Sequence, residues 1–144
     1  TLHVGPGTFR PVKTENIEDH HMDFEAFTVP PETAEAINGC KARGGRVFCV
    51  GSTTVRTLET VAAAVDGRGG HVVEAGSGAS DIFIYPPYRF RVCDCMLTNF
   101  HLPQSTLLMM VSALAGRERV LCSYALAVQK NYMFFSYGDC MLIV

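Results

Sequence analysis

Apolar positions along this chain gather into short runs separated by polar or glycine-rich breaks, and the runs alternate between strand and helix character. Thr1–Val4 is a strand candidate closed by the turn signal Gly5-Pro6-Gly7, and the polar stretch His20–Glu25 leads into a second strand candidate, Ala26–Val29. Pro30-Pro31-Glu32-Thr33 opens a helix, because proline suits a first helical turn and an acidic side chain complements the dipole there. That helix is predicted to run to about Arg43 and to stop at Gly44-Gly45. Arg46–Val50 reads as a buried strand ending at Gly51. Ser52 or Thr53 then caps a helix whose apolar stripe is Leu58, Val61, Ala62 and Val65. Residues 67–80 hold five glycines and read as a mobile loop of the kind that often serves as a lid. Ile82–Tyr85 is predicted as a strand stopped by Pro86-Pro87, and Arg91–Leu97 as another. Helices are predicted from Gln104 to about Ala115, with Ser105 or Thr106 near the cap, and from Arg117 to Lys130, before a last strand at Asp139–Val144. Strands apolar on both faces and alternating with helices predict a layered α/β domain, with a largely parallel sheet flanked by helices.

Composition narrows the class without choosing a function. A chain of 144 residues with 48% apolar side chains can bury a core, which excludes disorder and fits one domain or part of a larger one. The net charge of −2 gives no sign of a nucleic-acid partner. Its distribution says slightly more: residues 1–35 carry seven acids and two bases, and residues 36–144 carry ten bases and seven acids. A solvated face explains that basic excess as readily as an RNA-facing one. No apolar stretch reaches the ~20 residues that span a bilayer. Cys49, Cys93, Cys95 and Cys140 lie in apolar runs and no C-x-x-C pair is present, so the six cysteines are expected as free thiols in a reducing cytosol. Thr1 has no initiator Met and opens a strand-like run, so the chain is expected to be a fragment.

Five segments carry candidate chemistry. In Val50-Gly51-Ser52-Thr53-Thr54-Val55-Arg56 a buried strand ends in glycine and hydroxyl residues lead into a helix, which directs N–H groups and the helix dipole at an anion. Arg56 adds a possible forked contact, and plain helix capping is the alternative. Asn99-Phe100-His101-Leu102-Pro103-Gln104-Ser105-Thr106 sits at a predicted strand end, where open α/β sheets bind ligands, and His101 is suited to proton transfer near neutrality. A hydrogen-bonded structural histidine is the alternative. Asp81 and Tyr85 close the glycine loop and its following strand. The cluster His20-His21-Met22-Asp23-Phe24-Glu25 invites a metal but supplies too few convergent ligands, so no metal is expected. In Phe134-Phe135-Ser136-Tyr137-Gly138-Asp139 the aromatics suit stacking on a purine or a tRNA base, with core packing as the alternative.

Taken in order, these segments resemble the signature blocks of the S-adenosylmethionine:tRNA ribosyltransferase-isomerase family of queuosine synthesis. The blocks are Thr1–Gly5 with Gly7-Thr8-Phe9, His20 with Met22 and Glu25, Lys41–Arg46, Val50 through Glu59, Asp81 through Tyr88, Thr98 through Ala113, and Phe135 through Met141. Thr98–Ala113 is the most specific of them. Asp23 stands where the family favours His, Pro87 where Gly is usual, and the 67–80 loop is atypical. The resemblance implies the C-terminal part of an α/β domain, with the N-terminal part and an inserted β-barrel domain absent from this chain. It implies a cytoplasmic monomer that transfers and isomerises the ribosyl moiety of S-adenosylmethionine onto the aminomethyl-deazaguanine wobble base of tRNA. The products are epoxyqueuosine-tRNA, adenine and methionine. S-adenosylmethionine is then a co-substrate, and no cofactor is expected. Under this resemblance Gly51, Ser52, Thr53, Thr54 and Arg56 hold the methionyl carboxylate. His101 transfers a proton, with Asp81 or Glu25 orienting it or facing the sulfonium, and His20 completes the catalytic set. Tyr85, Phe100 and Tyr137 stack on a base, while Asn99 and Ser105 complete the binding set. A small-molecule nucleoside or sugar hydrolase and a nonenzymatic tRNA-binding module are the competing readings; the negative net charge weighs against the module.

Overall fold

In the computed structural model, which describes residues 1–9, 11–65 and 70–144, strands and helices alternate along the chain. The order is β1 (Glu25–Val29), α1 (Pro31–Ala42), β2 (Phe48–Val50), α2 (Ser52–Ala64), β3 (Gly76–Ser80), β4 (Cys95–Asn99), α3 (Thr106–Ala115), α4 (Arg117–Gln129) and β5 (Cys140–Ile143). Single 3₁₀ turns at Pro6–Phe9 and Ile17–Asp19 precede β1. The mixed α/β class is as expected, but the pairing is not largely parallel. β2 and β4 run parallel and β5 joins β4 antiparallel, while β1 and β3 form a separate antiparallel pair.

Four segments differ from the expected strands and loop, and two of them do so because a side chain reaches across from elsewhere in the chain. The glycine-rich stretch ends in a strand: Gly76–Ser80 pairs with all five residues of β1. Gly78 permits this, since a Cβ there would lie 2.9 Å from the ring of Phe27. Glycine here marks a close approach of two strands, which single-sequence reading does not distinguish from a loop. The lid expectation is left only with residues 67–69, outside the described residues, and the irregular segment before β3. Arg91–Cys93 do not extend β4, because their N–H groups are taken by a carboxylate. Glu59 of α2 accepts from Arg91 N, Val92 N and Cys93 N at 3.0 Å each, and from the Tyr88 hydroxyl at 3.2 Å. Ile82–Tyr85 makes no ladder either, although Ile84 is buried. Thr1–Val4 lies beside β1 through a single bridge, Leu2 to Phe27, with His3 N donating to Ala26 O at 2.8 Å.

The core joins one face of β2–β4–β5 to α2 and α3. Cys49 and Met96 face inward against Val55, Leu58, Ala62, Met110 and Val111. The other face exposes Phe48 and Val50 of β2 and Leu142 of β5, while the central β4 has both Cys95 and Met96 buried. All six cysteines are free; Cys49, Cys93 and Cys95 are buried. Lys41 and Asp94 pair at 2.7 Å, and Asp94 also accepts from Val47 N, which fixes the start of β2. No helix of the described residues is long and apolar enough to cross a membrane.

Candidate functional site

Two chain segments that are 45 residues apart in sequence meet at the C-terminal ends of the parallel pair. β2 delivers Gly51 to the start of α2, and β4 delivers Asn99 to the turn that starts α3. Between them lies a cavity of about 280 Å³, walled by Gly51, Ser52 and Thr53 on one side and by Thr98, Asn99, His101 and Ser105 on the other. Thr8 and Pro11 close one side, and Phe135 and Ser136 contribute a third wall.

The two helix starts differ chemically. The N-cap of α3 is Ser105: its hydroxyl accepts from Leu108 N at 3.1 Å and donates to Leu102 O at 2.7 Å. The N-cap of α2 is Gly51, not Ser52 or Thr53, and it provides no side-chain cap. Gly51 has a φ of 83°, a left-handed conformation that side-chain-bearing residues avoid. The first-turn N–H groups of α2 are therefore left to a ligand or water, at the positive end of the helix dipole and beside the hydroxyls of Ser52 and Thr53.

His101 is buried, 8% exposed, and its Nε2 lies 2.9 Å from Thr98 Oγ1. Its backbone N donates to the Tyr124 hydroxyl at 2.9 Å. Burial pushes its pKa down to about 4, so the ring is neutral at neutral pH. A neutral imidazole can accept a proton or donate a hydrogen bond through its one N–H, but it is not a ready imidazolium acid.

Arg56 does not reach the cavity. It is 1% exposed and its Nη1 pairs with Glu25 Oε2 and donates to Thr8 Oγ1 at 2.8 Å. The contact to Glu25 is not the forked one expected, since Nη1 alone makes it and the buried Nε and Nη2 of Arg56 have no hydrogen-bond partner among the described residues. Glu25 Oε1 accepts in addition from Gly5 N at 2.8 Å and Thr8 Oγ1 at 2.5 Å. Glu25 is thus a buried anchor for the chain segment that carries Thr8, with no side-chain atom lining the cavity. Thr54 is also turned away, its hydroxyl donating to Val50 O at 2.7 Å.

His20 and Tyr85 belong to an aromatic row, both ringed against Phe83 at 5.1 and 4.8 Å. Together with the exposed Asp81 they do not line the cavity. Phe100 is buried in a cluster with Tyr124, Tyr132 and Phe134, and Tyr137 is 98% exposed. Among the described residues no three His, Cys, Asp or Glu side chains converge as a metal site would require. Thr8, Thr98 and Ser136 carry no role that the sequence assigns, whereas Phe135 belongs to the aromatic segment read as suited to stacking or to core packing. The signal for those three was present only as membership of blocks, since nothing local says that residue 8 meets residue 98.

The chain has a mixed α/β fold with a pocket at the ends of its parallel strand pair. The family model described as queuosine biosynthesis protein matches residues 1–143, and the chain belongs to that family. Over 143 residues it is 60% identical to the S-adenosylmethionine:tRNA ribosyltransferase-isomerase of Moorella thermoacetica, covering 99% of this chain and 40% of that protein. The corresponding protein of Geobacter sulfurreducens is 56% identical over the same share of each. The crystal structure of the S-adenosylmethionine tRNA ribosyltransferase of Thermotoga maritima superposes with a TM-score of 0.73 at 46% identity, covering 83% of this chain and 40% of that one. The chain therefore spans about 40% of the length of the relatives it matches.

Proposed function

We propose that this chain is the C-terminal part of the α/β domain of an S-adenosylmethionine:tRNA ribosyltransferase-isomerase. The enzyme would move the ribosyl moiety of S-adenosylmethionine to the aminomethyl-deazaguanine wobble base of tRNA, releasing adenine and methionine. The observation that carries this reading is the cavity in which Gly51–Thr53 and Thr98–Ser105 face each other. Family membership and the identity to the named relatives supply the chemistry. The exposed sheet face at Phe48, Val50 and Leu142 is where the rest of a layered domain would pack. The protein is expected to act in the cytoplasm as a monomer.

The residues can be given parts in this reaction. The uncapped start of α2 holds the methionyl carboxylate through Gly51, Ser52 and Thr53, and Arg56 supports it from behind through Thr8. The reaction needs a base for the proton that the sulfonium acidifies and a hydrogen-bond donor that helps adenine leave. Neutral His101 serves one of these roles, its Nε2 sharing a hydrogen bond with the Thr98 hydroxyl. Asn99 and Ser105 complete the wall.

The test uses the full-length enzyme, labelled S-adenosylmethionine and precursor tRNA. Adenine release that depends on both substrates is expected. Release without tRNA would replace this reading with a hydrolase, and tight tRNA binding without turnover would replace it with a binding module.

A further inference from the structure

The third wall of the cavity comes from the turn between α4 and β5, where Phe135 and Ser136 line the space. Phe135 is 45% exposed and its φ is 73°. Exposure of a large apolar ring and a left-handed backbone under an aromatic side chain both work against folding. Such a conformation persists where the surroundings impose it, and here they do. Phe135 N donates to Phe100 O at 2.8 Å, and Gly138 N donates to Phe135 O at 3.0 Å. Asp139 closes the turn twice, its N donating to Met133 O and its Oδ2 accepting from Met133 N, each at 2.8 Å. Asn99 ties the turn to the end of β4, its Nδ2 donating to Gly138 O at 3.3 Å. Gly138 is required at its place, because a Cβ would lie 2.3 Å from Met133 O.

Phe100, Tyr124 and Phe134 pack on one another at 5.2 to 5.6 Å between ring centres. Phe135 is adjacent in sequence to Phe134, yet its left-handed backbone places it at the cavity.

We propose that Phe135 is a stacking platform for a fused-ring base held in the cavity, with the Ser136 hydroxyl beside it for an edge contact. An aromatic face held rigidly at a pocket wall covers a planar base at little ordering cost. The assignment rests on the ribosyltransferase reading, in which such a base arrives as the adenine of S-adenosylmethionine or as the deazaguanine of tRNA.

Three variants of the full-length enzyme test it. Phe135→Gly removes the ring and relieves the left-handed strain, so its melting temperature should match or exceed that of the wild type. Its KM for one substrate should rise about tenfold, in line with the loss of one base stack. Phe135→Leu keeps apolar bulk without an aromatic face and should behave like Phe135→Gly. Phe135→Tyr should restore most of the affinity. A rise confined to S-adenosylmethionine, with weaker binding of it in calorimetry without tRNA, identifies adenine. A rise confined to tRNA identifies the deazaguanine. Unchanged KM values for both substrates in a stable Phe135→Gly protein overturn the proposal. So does a Phe135→Gly protein that fails to fold while Phe135→Leu is fully active, since that outcome makes the side chain a packing element. The ribosyltransferase reading fails separately, by absence of adenine release from the wild type. Calorimetry with adenosine as the probe still decides the platform in that case: binding lost in Phe135→Gly supports it, and binding equal in both proteins overturns it.

Discussion

The starts of α2 and α3 face one cavity and are built in opposite ways. α3 satisfies its own first turn through Ser105, a cap bonded on both sides. α2 begins at a left-handed glycine and has no side-chain cap. Three hydroxyl residues follow Gly51, and any of them suggests capping when read in sequence. The structure instead directs Thr54 back to Val50 O and leaves Ser52 and Thr53 at the cavity wall. The difference teaches that a hydroxyl near a helix start has two uses, and only the position of the preceding residue decides between them.

The comparison breaks most completely if the support behind α2 is removed. Glu25→Ala would leave the Arg56 guanidinium buried without its charge partner, and such a loss costs about 3–5 kcal/mol. Urea denaturation should show it as a lowered midpoint at unchanged slope. A stability near that of the wild type would mean that α2 and the Thr8 segment are held by packing alone.

His101 sharpens the other side. Its folded pKa of about 4 lies below the ordinary 6.5, so the unfolded chain binds more protons between those values. The neutral, buried state therefore favours the fold fully above pH ~6.5, and that contribution is lost as pH falls toward 4. Its size is at most ~3 kcal/mol. Melting curves across that window should fall more steeply for the wild type than for His101→Gln, and parallel curves would show that the ring is better hydrated than its burial indicates. His101→Ala should also slow single-turnover ribosyl transfer by ~100-fold.

A smaller effect separates the two helix starts directly. Ser52→Asp adds a negative charge to the first turn of α2, which should raise helix stability by roughly 0.5 kcal/mol. The same charge should weaken S-adenosylmethionine binding about tenfold in calorimetry, an anion having taken the place of the carboxylate. Stronger or equal binding would move the carboxylate elsewhere. Ser105→Ala is the mildest change, costing about 1 kcal/mol for the lost cap with KM close to normal. A large KM effect would make Ser105 a substrate contact after all.

Much of the helical structure was legible in the chain. Pro30-Pro31 and Gly44 bracket α1, Gly116 divides α3 from α4, and each works through backbone restrictions that belong to one residue. Strands were read less well. Arg91–Cys93 carry the apolar signature of a strand, but Glu59 captures their N–H groups from 32 to 34 residues away. Gly76–Ser80 lacks that signature and forms a strand because Gly78 lets Phe27 lie against it. At the site, Gly51–Thr53, Asn99, His101 and Ser105 were recognised by type and position. Arg56, Glu25 and Thr54 have the same residue chemistry, and only burial and partners separated them from the cavity wall.

By itself the sequence determined the family, the helix limits and the hydroxyl, amide and imidazole groups available at two strand ends. These rest on local backbone preference and on the order of residue types, which need no partner to be read. The tertiary structure alone decided that the two strand ends share one cavity, that Arg56 is held by Glu25, and that Phe135 joins the wall while Phe134 joins the core. Those outcomes depend on contacts between residues tens of positions apart, and their energies come from burial and charge pairing that exist only once the chain is folded.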